Sequence, residues 1–127
     1  VQHDRAVKWF ARQRAKGCAT CPLTEAGFVP IISNPAFSRD AVTPREAAGL
    51  LAANTVAKDH AFWPDELPFA EAVAFAGARL VGHQQTTDAY LLGLALRRGG
   101  LLATLDERIA ALTEPKSVER RAIETVG

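Results

Sequence analysis

The spacing of apolar side chains along this chain predicts a succession of helices with well-marked ends. Residues 4–16 place apolar side chains on one helical face, and Gly17 suits the end of that helix. The stretch TPREAAGLLAANTVAK, residues 43–58, has a candidate N-cap at Thr43 and a proline in the first helical position. Glu46 stands three residues after Thr43, a spacing that predicts a capping box. Residues 43–58 are therefore the clearest predicted helix.

The stretch TTDAYLLGLALRRGG predicts a deeply packed helix. Thr87 is its candidate N-cap and Asp88 its first helical residue, and the helix runs through Leu96 until the glycine pair ends it. It is apolar nearly all round, which is typical of a buried helix. Three shorter helices are also predicted: one after Pro22 that Pro30 bends or ends, one stopped near Gly77, and one begun by Asp106.

Short apolar runs between these helices predict strands. CAT occupies residues 18–20, HAF ends near Trp63, and LLATL occupies residues 101–105 without alternation, which predicts a strand buried on both faces. Residues 117–126 contain a predicted final edge strand. Helices that alternate with buried strands indicate an α/β fold with a parallel sheet, and we expect one domain over residues 1–127. A fold of this class normally begins with a strand, whereas the first predicted element here is a helix.

The composition is that of an ordinary globular chain and excludes few functions. Of the 127 residues, 48% are apolar and 23% are charged, and the net charge of +1 neither demands nor excludes a nucleic-acid partner. No apolar run reaches the roughly 18 residues of a membrane span, and no signal peptide is visible, so we expect a cytoplasmic protein. The chain contains no methionine, and we expect a segment upstream of Val1.

Cys18 and Cys21 form a single CxxC in the stretch GCATCP. A structural zinc site needs four ligands, and the three histidines of this chain are scattered along it. The pair therefore fits buried small thiols in a reducing compartment, with a metal or redox role as the alternative.

Three acids follow predicted strands or begin predicted helices: Glu25 shortly after CAT, Asp88 at a helix start, and Asp106 directly after LLATL. Ligands of an open parallel sheet bind beyond the carboxyl ends of its strands, so the three acids can converge on one edge. Grouped acids raise each other's pKa unless a cation lies between them, and oxygen ligands alone select magnesium or manganese. Each acid by itself also fits a plain helix-starting role. Candidate supporting hydroxyls stand beside them, at Thr24, Thr87 and Thr104.

The blocks CPLTEAGFVPIISNPAF, HAFWPD and LVGHQQTTDAYLLGLALRRGGLLATLDERI, in this order, resemble the PIN-domain ribonucleases. They are similar in particular to the VapC toxins of bacterial type II toxin–antitoxin pairs, over nearly the whole chain from His3 to about Ile109. The resemblance implies a PIN-like three-layer sandwich, in which a short parallel sheet is flanked by helices. It also implies that Glu25, Asp88 and Asp106 are catalytic acids that hold magnesium or manganese. Thr104 matches the hydroxyl residue commonly found two places before the last acid.

The chain departs from the family pattern at two points. The family begins with a strand that ends in an aspartate, in a pattern like LLDxNVL, and this segment is absent from the sequence. We therefore expect a first strand and a fourth acid that this chain does not supply. Pro30 stands where many relatives carry arginine, so no role for that arginine can be transferred to this chain.

The resemblance implies a magnesium-dependent endoribonuclease toxin that is inhibited by a cognate VapB-like antitoxin and forms a homodimer. Lysine and arginine would hold RNA through its phosphates, and His83 with its two following glutamines fits either a substrate contact or an exposed turn. Apolar residues of the first helix, including Trp9, fit either a partner groove or the core. One alternative is a catalytically incomplete module that binds RNA or an antitoxin. A phospho-receiver domain is disfavoured, because no lysine follows LLATL until Lys116.

Overall fold

The computed structural model describes residues 17–36, 40–56 and 59–126, and the helix predicted over residues 4–16 lies outside them. These residues belong to two compact units, one within residues 17–66 and one within residues 67–126. Each unit contains one two-stranded parallel sheet with helices, as the α/β prediction requires. The prediction of a single domain over residues 1–127 stays a prediction.

The first unit is built on strands β1, Cys18–Thr20, and β2, His60–Phe62. The strands run parallel, with Cys18 opposite His60 and Thr20 opposite Phe62. Helix α1, Pro22–Ile32, follows β1 directly, and helix α2, Pro44–Asn54, precedes β2. The strands predicted at CAT and HAF are confirmed.

Helix α1 continues two residues past Pro30, so this proline does not end the helix, and a bend at Pro30 stays a prediction. The helix ends at Ile32, with Ser33 as its C-cap. The backbone amide and the hydroxyl of Ser33 both donate to the carbonyl of Val29, at 3.1 and 2.7 Å. Pro30 lies so near the end that its missing amide costs the helix only one late hydrogen bond.

Helix α2 begins as its sequence predicts. The Thr43 hydroxyl accepts from the Glu46 amide at 3.1 Å, and the Glu46 carboxylate accepts from the Thr43 amide at 3.4 Å. These reciprocal bonds form the predicted capping box and satisfy two amides that a helix start leaves without partners. The helix ends at Asn54, four residues before the predicted end at residue 58.

The second unit begins with helix α3, Phe69–Ala72, and contains the long helix α4, Thr86–Arg98. Strand β3, Leu102–Thr104, pairs in parallel with β4, Ile123–Thr125, which confirms the strand predicted within residues 117–126. Its other helical segments are short: 3₁₀ segments at Ala74–Arg79, His83–Gln85 and Glu107–Leu112, and helix α5, Val118–Arg121.

Helix α4 is the core of the second unit. Six of its residues are buried, among them Leu92 and Gly93, which confirms the predicted deep packing. Tyr90 stacks on Phe69 of α3 with ring centroids 6.1 Å apart, and its hydroxyl donates to the carbonyl of Leu67 at 3.1 Å. Gly99, with a φ of 69°, ends the helix in the left-handed conformation that glycine adopts readily.

Three predictions for the second unit are wrong in detail. Helix α4 begins at Thr86, so Thr87 is its second residue and not its N-cap. The residues before α4 form an α-helical turn, Phe69–Ala72, and a 3₁₀ segment, Ala74–Arg79, instead of one helix, although the helical angles do break at Gly77 as predicted, with φ 51° and ψ −128°. Strand β3 is half-buried, and Leu101 before it is 59% exposed, so LLATL is not buried on both faces. Within the described residues, no helix is long and apolar enough to cross a membrane.

Candidate functional site

Asp88 lies in the first turn of α4, where it is half-buried. Burial raises the pKa of this carboxyl above its ordinary value, because burial disfavours the charged form. The negative charge of Asp106 raises the pKa further, and the positive charge of Arg108 partly offsets the rise. A nearby cation would therefore stabilise the ionised form of Asp88.

Asp106 follows β3 and caps the 3₁₀ segment Glu107–Leu112, with one carboxylate oxygen accepting from the Arg108 amide at 2.9 Å. The guanidinium of Arg108 holds both oxygens of the same carboxylate, with Nε 2.9 Å from Oδ1 and Nη2 2.8 Å from Oδ2. These hydrogen bonds lower the pKa of Asp106 to about 2. Thr104 supports the same turn, since its hydroxyl accepts from the Asp106 amide at 2.9 Å.

Asp88, Asp106 and Arg108 thus form one electrostatic group within the second unit. Two carboxylates that repel each other, with a guanidinium on one of them, offer oxygen donors and an unbalanced negative charge. Such a group can hold a divalent cation, because hard oxygen donors are the ligands that magnesium and manganese prefer. Among the described residues of this unit, no third histidine, cysteine or acid joins the two carboxylates to complete a metal cluster.

Glu25 lies in the first unit, in the first turn of α1. Its carboxylate accepts a hydrogen bond of 2.6 Å from the hydroxyl of Thr20, the last residue of β1. The same hydroxyl lies 2.7 Å from Nε2 of His60, the first residue of β2. The convergence of Glu25 with the two aspartates stays a prediction.

The hydroxyls predicted to support the acids have different roles. Thr104 contacts the backbone of Asp106, as described above. The Thr24 hydroxyl accepts from the Cys21 amide and donates to the Cys21 carbonyl, both at 3.0 Å, so it fixes the start of α1. Thr87 is exposed beside Asp88. The hydroxyl that donates to the Glu25 carboxylate is that of Thr20, a residue that no motif in the sequence indicates.

The two cysteines are free thiols, as expected. Cys21 is buried, with 3% of its surface exposed. Cys18 is half-buried, and burial together with the charge of Asp59 raises its pKa, which disfavours the reactive thiolate. The described contacts therefore favour a packing role for this CxxC.

Comparison with known proteins identifies relatives that match most of the chain. No family model matches it. Ribonuclease VapC39 of Mycobacterium tuberculosis H37Rv is 42% identical over 112 residues, which are 87% of this chain and 79% of the relative. Ribonuclease VapC44 of the same strain is 34% identical over 120 residues, 94% of this chain and 84% of the relative. Ribonuclease VapC29 is 41% identical over 112 residues, 88% and 77% of the two chains. Sequence identities of this size, over most of this chain and most of each relative, show that the chain belongs to the VapC ribonuclease family.

Proposed function

We propose that this protein is an endoribonuclease toxin that uses magnesium or manganese to hydrolyse RNA and is inhibited by a cognate VapB-like antitoxin. The observation that carries the proposal is the pair of repelling carboxylates, Asp88 and Asp106, at a helix start and a strand end in a chain related to ribonucleases. A positive ion near such a pair favours the ionised form of both carboxylates, and a metal-dependent nuclease would supply that charge when it binds its ion.

In this proposal Asp88 and Asp106 bind the ion in the second unit, and Glu25 provides a third carboxylate from the first. The proposed fold is the PIN-like three-layer sandwich that the resemblance to the VapC ribonucleases implies. A bound divalent ion would lower the pKa of a coordinated water and neutralise charge on the scissile phosphate. The donor set fits magnesium or manganese, because all three proposed ligands are carboxylates.

Positive side chains near the acids have a separate role. Arg108 is 85% exposed, so its guanidinium can exchange the Asp106 carboxylate for another anion at little cost. With that carboxylate bound to a metal ion, Arg108 would be available to a phosphate of the RNA backbone. His83, which is exposed just before α4, is a further candidate for substrate contact.

An exposed apolar surface on α1 supports the proposed protein partners. Leu23 and Phe28 are each 37% exposed, and Ile31 is 56% exposed, although all three are large apolar side chains. Apolar side chains exposed together on one helix are typical of a surface that binds an amphipathic segment or a second copy of the chain. An antitoxin segment and a homodimer are the proposed occupants.

Cleavage of a labelled RNA in magnesium, with and without a chelator, tests the enzymatic part of the proposal. Asp88→Asn should abolish cleavage, because it keeps the shape of the side chain and removes its charge. The control is Glu114→Gln, which neutralises an exposed acid of the same unit and should leave the rate unchanged. Undiminished cleavage by Asp88→Asn, or by the unaltered protein in chelator, contradicts the metal assignment.

The alternative function, a binding module without catalysis, has a distinct signature in the same experiment. It would shift RNA in a gel without cleaving it in magnesium or manganese. Co-expression with a candidate VapB-like antitoxin tests inhibition, and sedimentation of the purified protein tests the homodimer. A protein that shifts RNA yet cleaves none in either metal ion would replace the endoribonuclease proposal with the binding module.

A further inference from the structure

Three polar side chains, those of His60, Thr20 and Glu25, contact one another in series and connect the two strands of the first unit to α1. Residues opposite each other in a parallel pair share a face, as do residues two apart on one strand, so Thr20 and His60 project from the same face of the sheet. The Thr20 hydroxyl lies between the other two groups, 2.6 Å from Glu25 Oε2 and 2.7 Å from His60 Nε2. All three side chains are half-buried, which limits competition from water.

The Thr20 hydroxyl has a single hydrogen, and this fixes the direction of both hydrogen bonds in the series. A threonine hydroxyl has one hydrogen to donate, and an ionised carboxylate can only accept. The Thr20 hydrogen therefore belongs to the bond with Glu25, and the contact with His60 is a hydrogen bond only if Nε2 of the imidazole donates. The geometry consequently requires a His60 ring that carries a hydrogen on Nε2.

We infer that Thr20 and His60 are positioning residues for Glu25. His60 donates a hydrogen bond to the Thr20 hydroxyl and restricts its rotation. The Thr20 hydrogen is thereby directed at Oε2 of the Glu25 carboxylate. Among the described residues, Thr20 is the one side chain that donates to this carboxylate, which leaves Oε1 available to a metal ion. The inference rests on the proposed function, in which Glu25 is a metal ligand, and it adds two residues that orient that ligand from the neighbouring strand.

Nuclear magnetic resonance of the His60 ring nitrogens tests the hydrogen-bond direction without metal or RNA. Spectra of the ¹⁵N-labelled protein at pH 8 report which ring nitrogen carries hydrogen. We expect hydrogen on Nε2 in the unaltered protein and a changed Nε2 shift in Thr20→Val. A ring with hydrogen on Nδ1 alone would mean that Thr20 donates to His60, and this result overturns the inference.

Magnesium titration followed by calorimetry tests the consequence for Glu25. Loss of a group that orients a metal-binding side chain typically weakens metal affinity by about 10- to 100-fold, and we expect this range for both Thr20→Val and His60→Leu. Thr20→Ser and His60→Gln keep a hydroxyl and a donor nitrogen, so they should restore binding close to the unaltered protein. Because the two residues act in series, the double variant Thr20→Val/His60→Leu should be no weaker than the weaker single variant.

The controls separate a failure of this inference from a failure of the proposed function. Thr125→Val changes a strand threonine of the second unit and should leave magnesium binding unchanged, and circular dichroism confirms that each variant is folded. If the protein and Glu25→Gln bind magnesium equally, the proposed metal site fails, and this inference fails with it. If Glu25→Gln loses magnesium while Thr20→Val and His60→Leu keep it, only the positioning role is wrong.

Discussion

Replacement of Gly93 by alanine would test the close approach of α3 and α4 in the second unit. Gly93 lies in α4, and a Cβ atom built on it would be 2.0 Å from the carbonyl oxygen and 2.7 Å from the carbonyl carbon of Ala72, the last residue of α3. Real Cβ atoms essentially never approach another atom within 3.0 Å, so the two helices must separate by about 1 Å. Both obstructing atoms belong to the backbone, which cannot turn aside as a side chain does.

The expected cost follows from two opposing effects. Overpacking of a core typically costs about 1–3 kcal/mol and sometimes more, and an obstruction by backbone places Gly93→Ala at or above the top of that range. Alanine regains about 1 kcal/mol of helix propensity over glycine. We therefore expect a net loss of about 2–4 kcal/mol and a fall in Tm of about 8–16 °C for a chain of this length.

Thermal unfolding monitored by circular dichroism measures this loss, and Gly49→Ala is the matched control. Gly49 lies inside α2, and a Cβ atom there would meet nothing within 4 Å. The control should therefore gain about 0.5–1 kcal/mol from helix propensity alone. If Gly93→Ala melts at or above the temperature of the unaltered protein, as Gly49→Ala should, then α3 and α4 do not approach as described.

Three further substitutions test individual electrostatic and capping contacts. Asp88→Asn should stabilise the metal-free protein at pH 7 by up to about 1 kcal/mol after solvent screening. The raised pKa means that the ionised carboxylate destabilises the fold, so this gain should shrink as urea unfolding is repeated towards pH 4. Thr43→Ala should cost about 1 kcal/mol in the same assay, because Glu46 loses its capping partner. Arg108→Ala should lower the magnesium midpoint about twofold to fivefold, since an exposed guanidinium no longer competes for Asp106; an unchanged midpoint would show that the two cations do not share that carboxylate.

The parts of the fold that depend on local chemistry could be predicted from the sequence. The capping box of α2 needs only Thr43, Glu46 and a proline at the correct spacing, and Gly99 ends α4 because glycine accepts the left-handed conformation without strain. The start of α4 was placed wrongly, because the 3₁₀ segment His83–Gln85 leads into the helix and moves its first residue to Thr86. The break at Gly77 was predicted, because glycine accepts a positive φ, but the change from an α-helical turn to a 3₁₀ segment ahead of it was not.

The candidate site was predictable only in its acids. Asp88 and Asp106 stand at positions that local patterns identify, one at a helix start and one at a strand end. The contact of Thr20 with His60 depends on which strands pair and in which register, and residues 40 positions apart in sequence carry no local sign of it. The sequence offered one signal for this contact. Side chains alternate between the two faces of a strand, so Thr20 and His60 lie on the same face once the strand pairing is known.

The opposite pKa shifts of the two aspartates follow from the different contacts that Arg108 makes with each of them. Arg108 makes hydrogen bonds to Asp106 and lowers its pKa, but it acts on Asp88 only through its charge, which does not overcome burial and the repulsion from Asp106. The guanidinium thus compensates one carboxylate and leaves the other with a deficit of positive charge. A divalent cation bound to both would remove that deficit, and it would have to displace or share the hydrogen bonds of Arg108. In the proposed function, metal binding and the release of Arg108 towards an RNA phosphate would be two consequences of one exchange of cations at Asp106.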